Sequence, residues 1–265
     1  MKITVFTSNQ PRHLALLSAL SGLGEEIYAI QECSTVRPGE VADFFRKSDV
    51  MRDYFRRVIA AEKEVFGPGT FCPRQVRQRA IRMGDLNLLE FSDLGPSLEA
   101  DIFVVFGSSY IKRKLADFLV EHGAYNIHMG VSPYYRGSST NFWALYDRRP
   151  GYVGATIHLL TSGLDSGPIL FHALPPTEAI EPFLLGMRAV RAAHEGLVRA
   201  LGDGKLAAML PAEQDKTREL RYSRNVEFTD EVAAEYLGRL PSPQTIRQSL
   251  EARNMMDFVR PFVGG

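Results

Sequence analysis

The sequence predicts an open, mostly parallel α/β sheet with helices on both faces, and three observations point to it. Residues 3–6, 27–30 and 102–106 are short, β-prone apolar runs of the length expected for buried strands. Helically patterned stretches separate them, which is how parallel strands are connected. Turn-forming residues such as Gly107, Ser108 and Ser109 follow a strand end directly, the place where sheets of this class gather their ligands.

Taken in order, residues 3–6 form the first strand, 14–20 a helix and 27–30 the second strand. From Val41 onward Phe44, Phe45, Met51, Tyr54, Phe55, Val58, Ile59 and Phe66 recur at helical spacing. This predicts a long amphipathic helix ended by Gly67, Pro68 and Gly69. Arg74, Arg77, Arg79 and Arg82 then form a basic run, read as the solvated face of a helix in preference to a grip on acceptor phosphates. Residues 102–106 make a strand, 113–121 a helix and 125–128 the next strand. Residues 155–160 and 169–173 are two further strands, and 181–201 a helix with Leu184, Leu185, Val190, Ala193, Leu197 and Leu201 on its apolar side. Gly202 and Gly204 close a core domain of residues 1–204. Residues 205–265 make a C-terminal appendage with helices at 230–237 and after Pro241 and Pro243. The appendage carries two readings, acceptor binding or the pairing of two copies in a homodimer.

Length and composition narrow the class. With 265 residues, 45% of them hydrophobic and 23% charged, the chain is an ordinary globular protein with room for one large core. Its formal net charge of zero gives no basic field for nucleic acid or an anionic membrane. Two cysteines, Cys33 and Cys72, suit a reduced compartment and make no metal pattern. The N-terminal apolar run turns polar at Thr7, too early for a signal peptide, and no apolar stretch is long enough to span a bilayer. A soluble, cytoplasmic protein is expected.

The chemistry concentrates in Asn126 and His128, the segment Ser132-Pro133-Tyr134-Tyr135-Arg136-Gly137, and Asp165 between Gly163 and Gly167. Residues two apart in a strand share a face, so Asn126 and His128 converge on one small volume. Asp165 sits in a turn whose glycines let the backbone fold tightly. A non-titrating amide, a proton carrier near neutral pH and a carboxylate to orient it are what an acyl-transfer site needs. A preorganised amide donor to an oxyanion is worth about 3 kcal/mol. Arg136 adjoins the site and reads equally as part of a loop that shapes the acceptor pocket or closes over the donor, or as a residue that stacks on Tyr134 or Tyr135 or pairs with a nearby carboxylate. Trp143 and His158 read as core residues, and His13, His122, His172 and His194 lack companions at ligand spacing.

This ordered set resembles the folate-dependent formyltransferases, the family of glycinamide ribonucleotide transformylase and the catalytic domain of methionyl-tRNA formyltransferase. Asn126, His128 and Asp165 fall where that family keeps its catalytic Asn, His and Asp. Pro133 to Gly137, Trp143-Ala144 and Gly154 to His158 also fit, and the resemblance is dense between positions 101 and 201. It implies a Rossmann-like core and 10-formyltetrahydrofolate as co-substrate, with no metal. It also implies a pterin held by the main chain of Ser109, Tyr110 and Ile111 on one side and Thr161, Gly163 and Leu164 on the other. Asn9, Arg12 and Arg136 are the residues expected at the acceptor.

Departures from the family narrow the acceptor. The loop after the first strand, Ser8-Asn9-Gln10-Pro11-Arg12, lacks the glycines of the glycinamide ribonucleotide phosphate loop. Too little chain follows Gly202 for the basic domain of the transfer-RNA enzymes, and the first strand starts at Lys2 with no preceding regulatory domain. A small amine, foremost a nucleotide-linked amino sugar, is therefore the expected acceptor. Hydroxyornithine, glycinamide ribonucleotide and a non-catalytic folate-binding role are the alternatives.

Overall fold

A computed structural model describes residues 1–35, 41, 43–69 and 71–265. In chain order its elements begin with β1 (Lys2–Ser8), α1 (Pro11–Leu20), β2 (Glu26–Cys33), α2 (Asp49–Phe66) and β3 (Val76–Arg82). The single turn α3 (Phe91–Leu94) precedes β4 (Ile102–Val105), α4 (Arg113–Glu121), β5 (Tyr125–His128), β6 (Tyr135–Gly137) and α5 (Thr140–Tyr146). Then come β7 (Ala155–Leu159), β8 (Ile169–Leu174), α6 (Pro182–Gly202), β9 (Arg221–Ser223), α7 (Asp230–Gly238), α8 (Pro243–Glu251) and β10 (Phe262–Val263).

Eight strands form one sheet in the order β10-β8-β7-β5-β4-β1-β2-β3. Every neighbouring pair is parallel except β5–β7 and β7–β8, so β7 alone runs against the rest. The expected open, mostly parallel α/β sheet is the architecture found.

The pleat explains why both faces are covered. Ile3, Val5 and Val104 pack with α1 and α6 on one side, against Leu16, Leu17 and Leu197. Phe6, Phe103 and Val105 point the other way, onto Leu115 and Leu119 of α4. Full burial of such side chains is worth about 1.5–3 kcal/mol each, which fixes the register of the central strands. A third cluster, built on Tyr135, Phe142, Trp143, Leu185, Tyr236, Ile246 and Phe258, joins α5 and α6 to the C-terminal helices. Residues 205–265 also supply β9, which pairs with β6, and β10, which extends the main sheet beside β8.

Two expectations change. The amphipathic helix anticipated from Val41 starts at Asp49, because the Ser48 hydroxyl accepts from the Met51 amide and caps it there. Phe44–Arg46 is a separate 3₁₀ turn, and position 42 lies outside the described residues. The arginine run is a strand, not a helix face. Residues 77–82 pair with β2 at the edge of the sheet, where Arg77, Arg79 and Arg82 are exposed. Arg77 meets Glu26 at 2.9 Å, and the partnership with β2 overrides a pattern that suited either element.

Candidate active site

β5 lies between β4 and β7 in the middle of the sheet, and its last residues carry the site. Asn126 is paired with Val105 on one side and His158 on the other, while His128 is opposite Thr156. The loop from β7 to β8 then folds back over this strand end. Asp165 takes φ +46° there, the left-handed region that short polar side chains tolerate. Gly167 lets the loop close down, since a Cβ at that position would lie 1.7 Å from the Leu159 carbonyl oxygen.

The three expected catalytic side chains meet. His128 Nδ1 is 3.3 Å from Asp165 Oδ1, and Asn126 Nδ2 lies 3.5 Å from the same oxygen. Burial alone would disfavour a charged His128, yet the Asp165 carboxylate and the Tyr135 carbonyl outweigh it and raise its pKa. Asp165 shows the converse. Burial opposes its ionisation, but His128 prevails and holds the carboxyl below its ordinary value. The pair is poised to be charged on both sides.

His158, expected in the core, is indeed buried but also touches the site. Its Nδ1 is 2.8 Å from the Leu159 carbonyl, and its Nε2 is 2.9 Å from Asn126 Nδ2. Burial lowers its pKa to about 4, so the ring is neutral at physiological pH. A carbonyl can only accept, so Nδ1 carries the proton and Nε2 accepts from the Asn126 amide. That contact fixes which way the amide faces. An alternating strand such as Thr156-Ile157-His158 shows a buried polar side chain, though not its partner 32 residues away.

A cleft of about 590 Å³ opens over the trio. Ser109, Tyr110 and Ile111 line it from the loop after β4, and Thr161, Gly163 and Leu164 from the loop after β7. The two expected pterin segments therefore face one space, and the Tyr110 hydroxyl bridges them by donating to the Ser162 carbonyl at 2.5 Å. Beneath the first segment, fully buried Glu32 accepts from the Ser109 hydroxyl at 2.8 Å, from the Ser109 amide, and from the Gly84 amide at 2.9 Å. This anchor escaped sequence reading, although a glutamate inside the apolar strand Ile27–Ile30 and beyond was its visible signal.

The acceptor candidates separate. Arg12 lines the cleft, with its guanidinium 2.7 Å from the buried Glu62 carboxylate. Asn9 lies off the cleft wall and donates to the Thr35 carbonyl at 2.8 Å. Arg136 is buried beneath the Asp165 loop, bound to Glu219 at 3.0 Å and to the Leu164 carbonyl at 3.3 Å. Gln214, unforeseen, clamps that loop from the C-terminal segment. Its Nε2 donates to the carbonyls of Asp165 at 2.9 Å and Gly167 at 2.8 Å. Next to it, Ala212 and Ile169 exchange two backbone hydrogen bonds.

Residues 72–201 match the model of the family described as Formyl transferase, and the trio and both cleft segments fall inside the match. Residues 72–201 belong to the formyltransferase family. Among curated formyltransferases, the methionyl-tRNA formyltransferase of Thermotoga neapolitana is 26% identical over 70% of this chain and 58% of its own length. That of Thermosynechococcus vestitus is 39% identical over 28% of this chain and 22% of its own. The chain thus spans well under two thirds of these relatives. The formyltransferase fold recurs in a solved structure, the formyltransferase PseJ from Anoxybacillus kamchatkensis in complex with UDP-4,6-dideoxy-4-formamido-L-AltNAc and tetrahydrofolate. It is 15% identical, with a TM-score of 0.51, and the match covers 94% of this chain and all of that one.

Proposed function

We propose that this formyltransferase moves the formyl group of 10-formyltetrahydrofolate onto the amine of a small acceptor, foremost a nucleotide-linked amino sugar. The observation that carries the reading is the convergence of Asn126, His128 and Asp165 within 3.5 Å at the floor of the cleft. A pterin suits the space between the two facing loops, whose remaining main-chain groups can meet its polar rim, and the exposed ring of Tyr110 offers an apolar face.

The donor supplies a formyl carbon bound to nitrogen, and its transfer forms one C–N bond as another breaks. Each residue then has a task set by its surroundings. Asn126, anchored on neutral His158 through one N–H, has its second, 3.5 Å from Asp165, to offer the oxygen where negative charge gathers. His128 adds a second donor and moves the proton lost by the attacking nitrogen towards the departing one. Asp165 keeps the imidazole oriented and favours its charged form. The trio works as a unit.

For the acceptor, support comes from charge and from fold. Zero net charge offers no field for a transfer-RNA backbone, and the fold neighbour from A. kamchatkensis holds a nucleotide-linked sugar beside tetrahydrofolate. The test is direct. Purified protein and 10-formyltetrahydrofolate are offered nucleotide-linked amino sugars, hydroxyornithine and glycinamide ribonucleotide, and products are weighed by mass spectrometry. A gain of one formyl group on the amino sugar is expected; folate binding without transfer to any amine would overturn the reading.

A further inference from the structure

The cleft continues past the trio into an aromatic pocket that formyl chemistry does not require. Its walls come from four helices: Tyr54 and Val58, one turn apart on α2, Phe142 on α5, Phe183 and Gly186 on α6, and Tyr236 on α7. The rings form one continuous surface, with Tyr54 centred 5.8 Å from Phe142 and 5.3 Å from Phe183, and Phe183 5.9 Å from Tyr236. Such a surface takes the C–H face of a ring or another flat apolar group.

Three further facts say what it holds. Neither the Tyr54 nor the Tyr236 hydroxyl has a hydrogen-bond partner among the described residues, although Tyr236 is only 2% exposed. Both residues line the cleft, so their hydroxyls are available to the polar substituents of a ligand. Among the described lining residues the charges are already matched, Arg12 by Glu62 and His128 by Asp165, which leaves no open cation for a phosphate. Gly186 sits inside α6, where glycine is disfavoured against alanine. A Cβ there would meet nothing within 4 Å. The helix gives up stability at a position on the cleft wall where a side chain would meet open space.

We infer that the acceptor lodges an uncharged, partly apolar ring against Tyr54, Phe142 and Phe183 above Gly186. Its hydroxyls are met by Tyr54 and Tyr236, and its charged groups remain at the mouth of the cleft. The inference rests on the formyl-transfer reading and adds Gly186 as the residue that sets the size of ring admitted. A nucleotide-linked amino sugar would enter by its sugar, with the diphosphate outside.

The test compares wild type with Gly186→Leu and Tyr54→Phe. The acceptor probes are the methyl glycoside of 4-amino-4,6-dideoxyglucose and its UDP-linked form, with 10-formyltetrahydrofolate as donor. Gly186→Leu should raise KM for both probes tenfold or more by the same factor, with kcat and the folate Kd moving less than threefold. Tyr54→Phe, which loses only the hydroxyl, should raise KM for both by a smaller factor. Should Gly186→Leu not fold, Gly186→Ala, favoured by helix propensity, should show the same KM shift in smaller measure. An unchanged KM in folded variants overturns the pocket while formyl transfer stands. A UDP-linked probe that escapes the shift seen with the glycoside also overturns it. Wild type that transfers to neither probe overturns the transfer reading, and the pocket falls with it.

Discussion

Two buried histidines share this site with opposite tendencies, and one carboxylate makes the difference. Asp165 raises His128, while His158, without an ion pair, is pushed down to about 4 by burial. Asp165→Asn keeps the shape but removes the charge, so burial would then dominate at His128 and lower its pKa. A reaction that uses protonated His128 fails as pH rises through that pKa, so the alkaline limb of kcat/KM should move to lower pH in the variant. A pH–rate profile checks this, and a limb that stays in place would show that His128 is not the titrating group. The stability linkage has the same origin. The raised His128 stabilises the fold below its unfolded-state pKa, a contribution lost as pH climbs through the folded one. The depressed Asp165 contributes above its unfolded-state pKa, and that is lost as pH falls through its folded value.

The loop between β7 and β8 is held from several directions, by Gln214 at Asp165 and Gly167, by Arg136 at Leu164 and by Tyr110 at Ser162. Gln214 is therefore a positioning residue for a carboxylate whose value depends on placement. Gln214→Ala should lower kcat on the order of tenfold to a hundredfold, since misplacement by an ångström has that effect. The folate Kd and the acceptor KM should change far less, and steady-state kinetics with folate titration would separate the two. An equal loss in every parameter would indicate general unfolding instead. The sequence makes Asn126 and His128 legible because their relation is local, two residues along one strand, and Asp165 legible through its flanking glycines. Gln214 and Glu62 were not, because each acts on a partner about fifty residues away, 49 and 50 respectively. Periodicity carries no record of such pairings. The strands β6, β9 and β10, of two or three residues, are likewise too short to show any alternation.

At the scale of the molecule, the C-terminal residues are threaded through the structure that holds the site. β9 lies beside β6 immediately before α5, β10 widens the sheet next to β8, and Tyr236 of α7 reaches the cleft wall. The alternating strands and helices of the first two hundred residues were legible because each repeats a period long enough to read. The β3 strand was not, since a strand open to solvent on its outer side can be written almost wholly in polar residues.

Those same arginines bear on how the protein keeps to itself. A sheet that ends in an open strand offers a template to any passing chain, and a molecule with no net charge has no long-range repulsion to discourage the encounter. Arg79 and Arg82, exposed along that margin, act as local guards. Replacing both with valine should leave the thermal midpoint within a few degrees, because exposed substitutions seldom alter stability by more than about 0.5 kcal/mol. Light scattering during concentrated storage should nevertheless rise sharply, with a gain in β-rich assemblies detectable by thioflavin binding. A double variant that stays as clear as wild type would show that the margin is protected by other means. Colloidal behaviour in this fold would then be decided by two side chains remote from any chemistry, at the far edge of the sheet from the strand that β10 supplies.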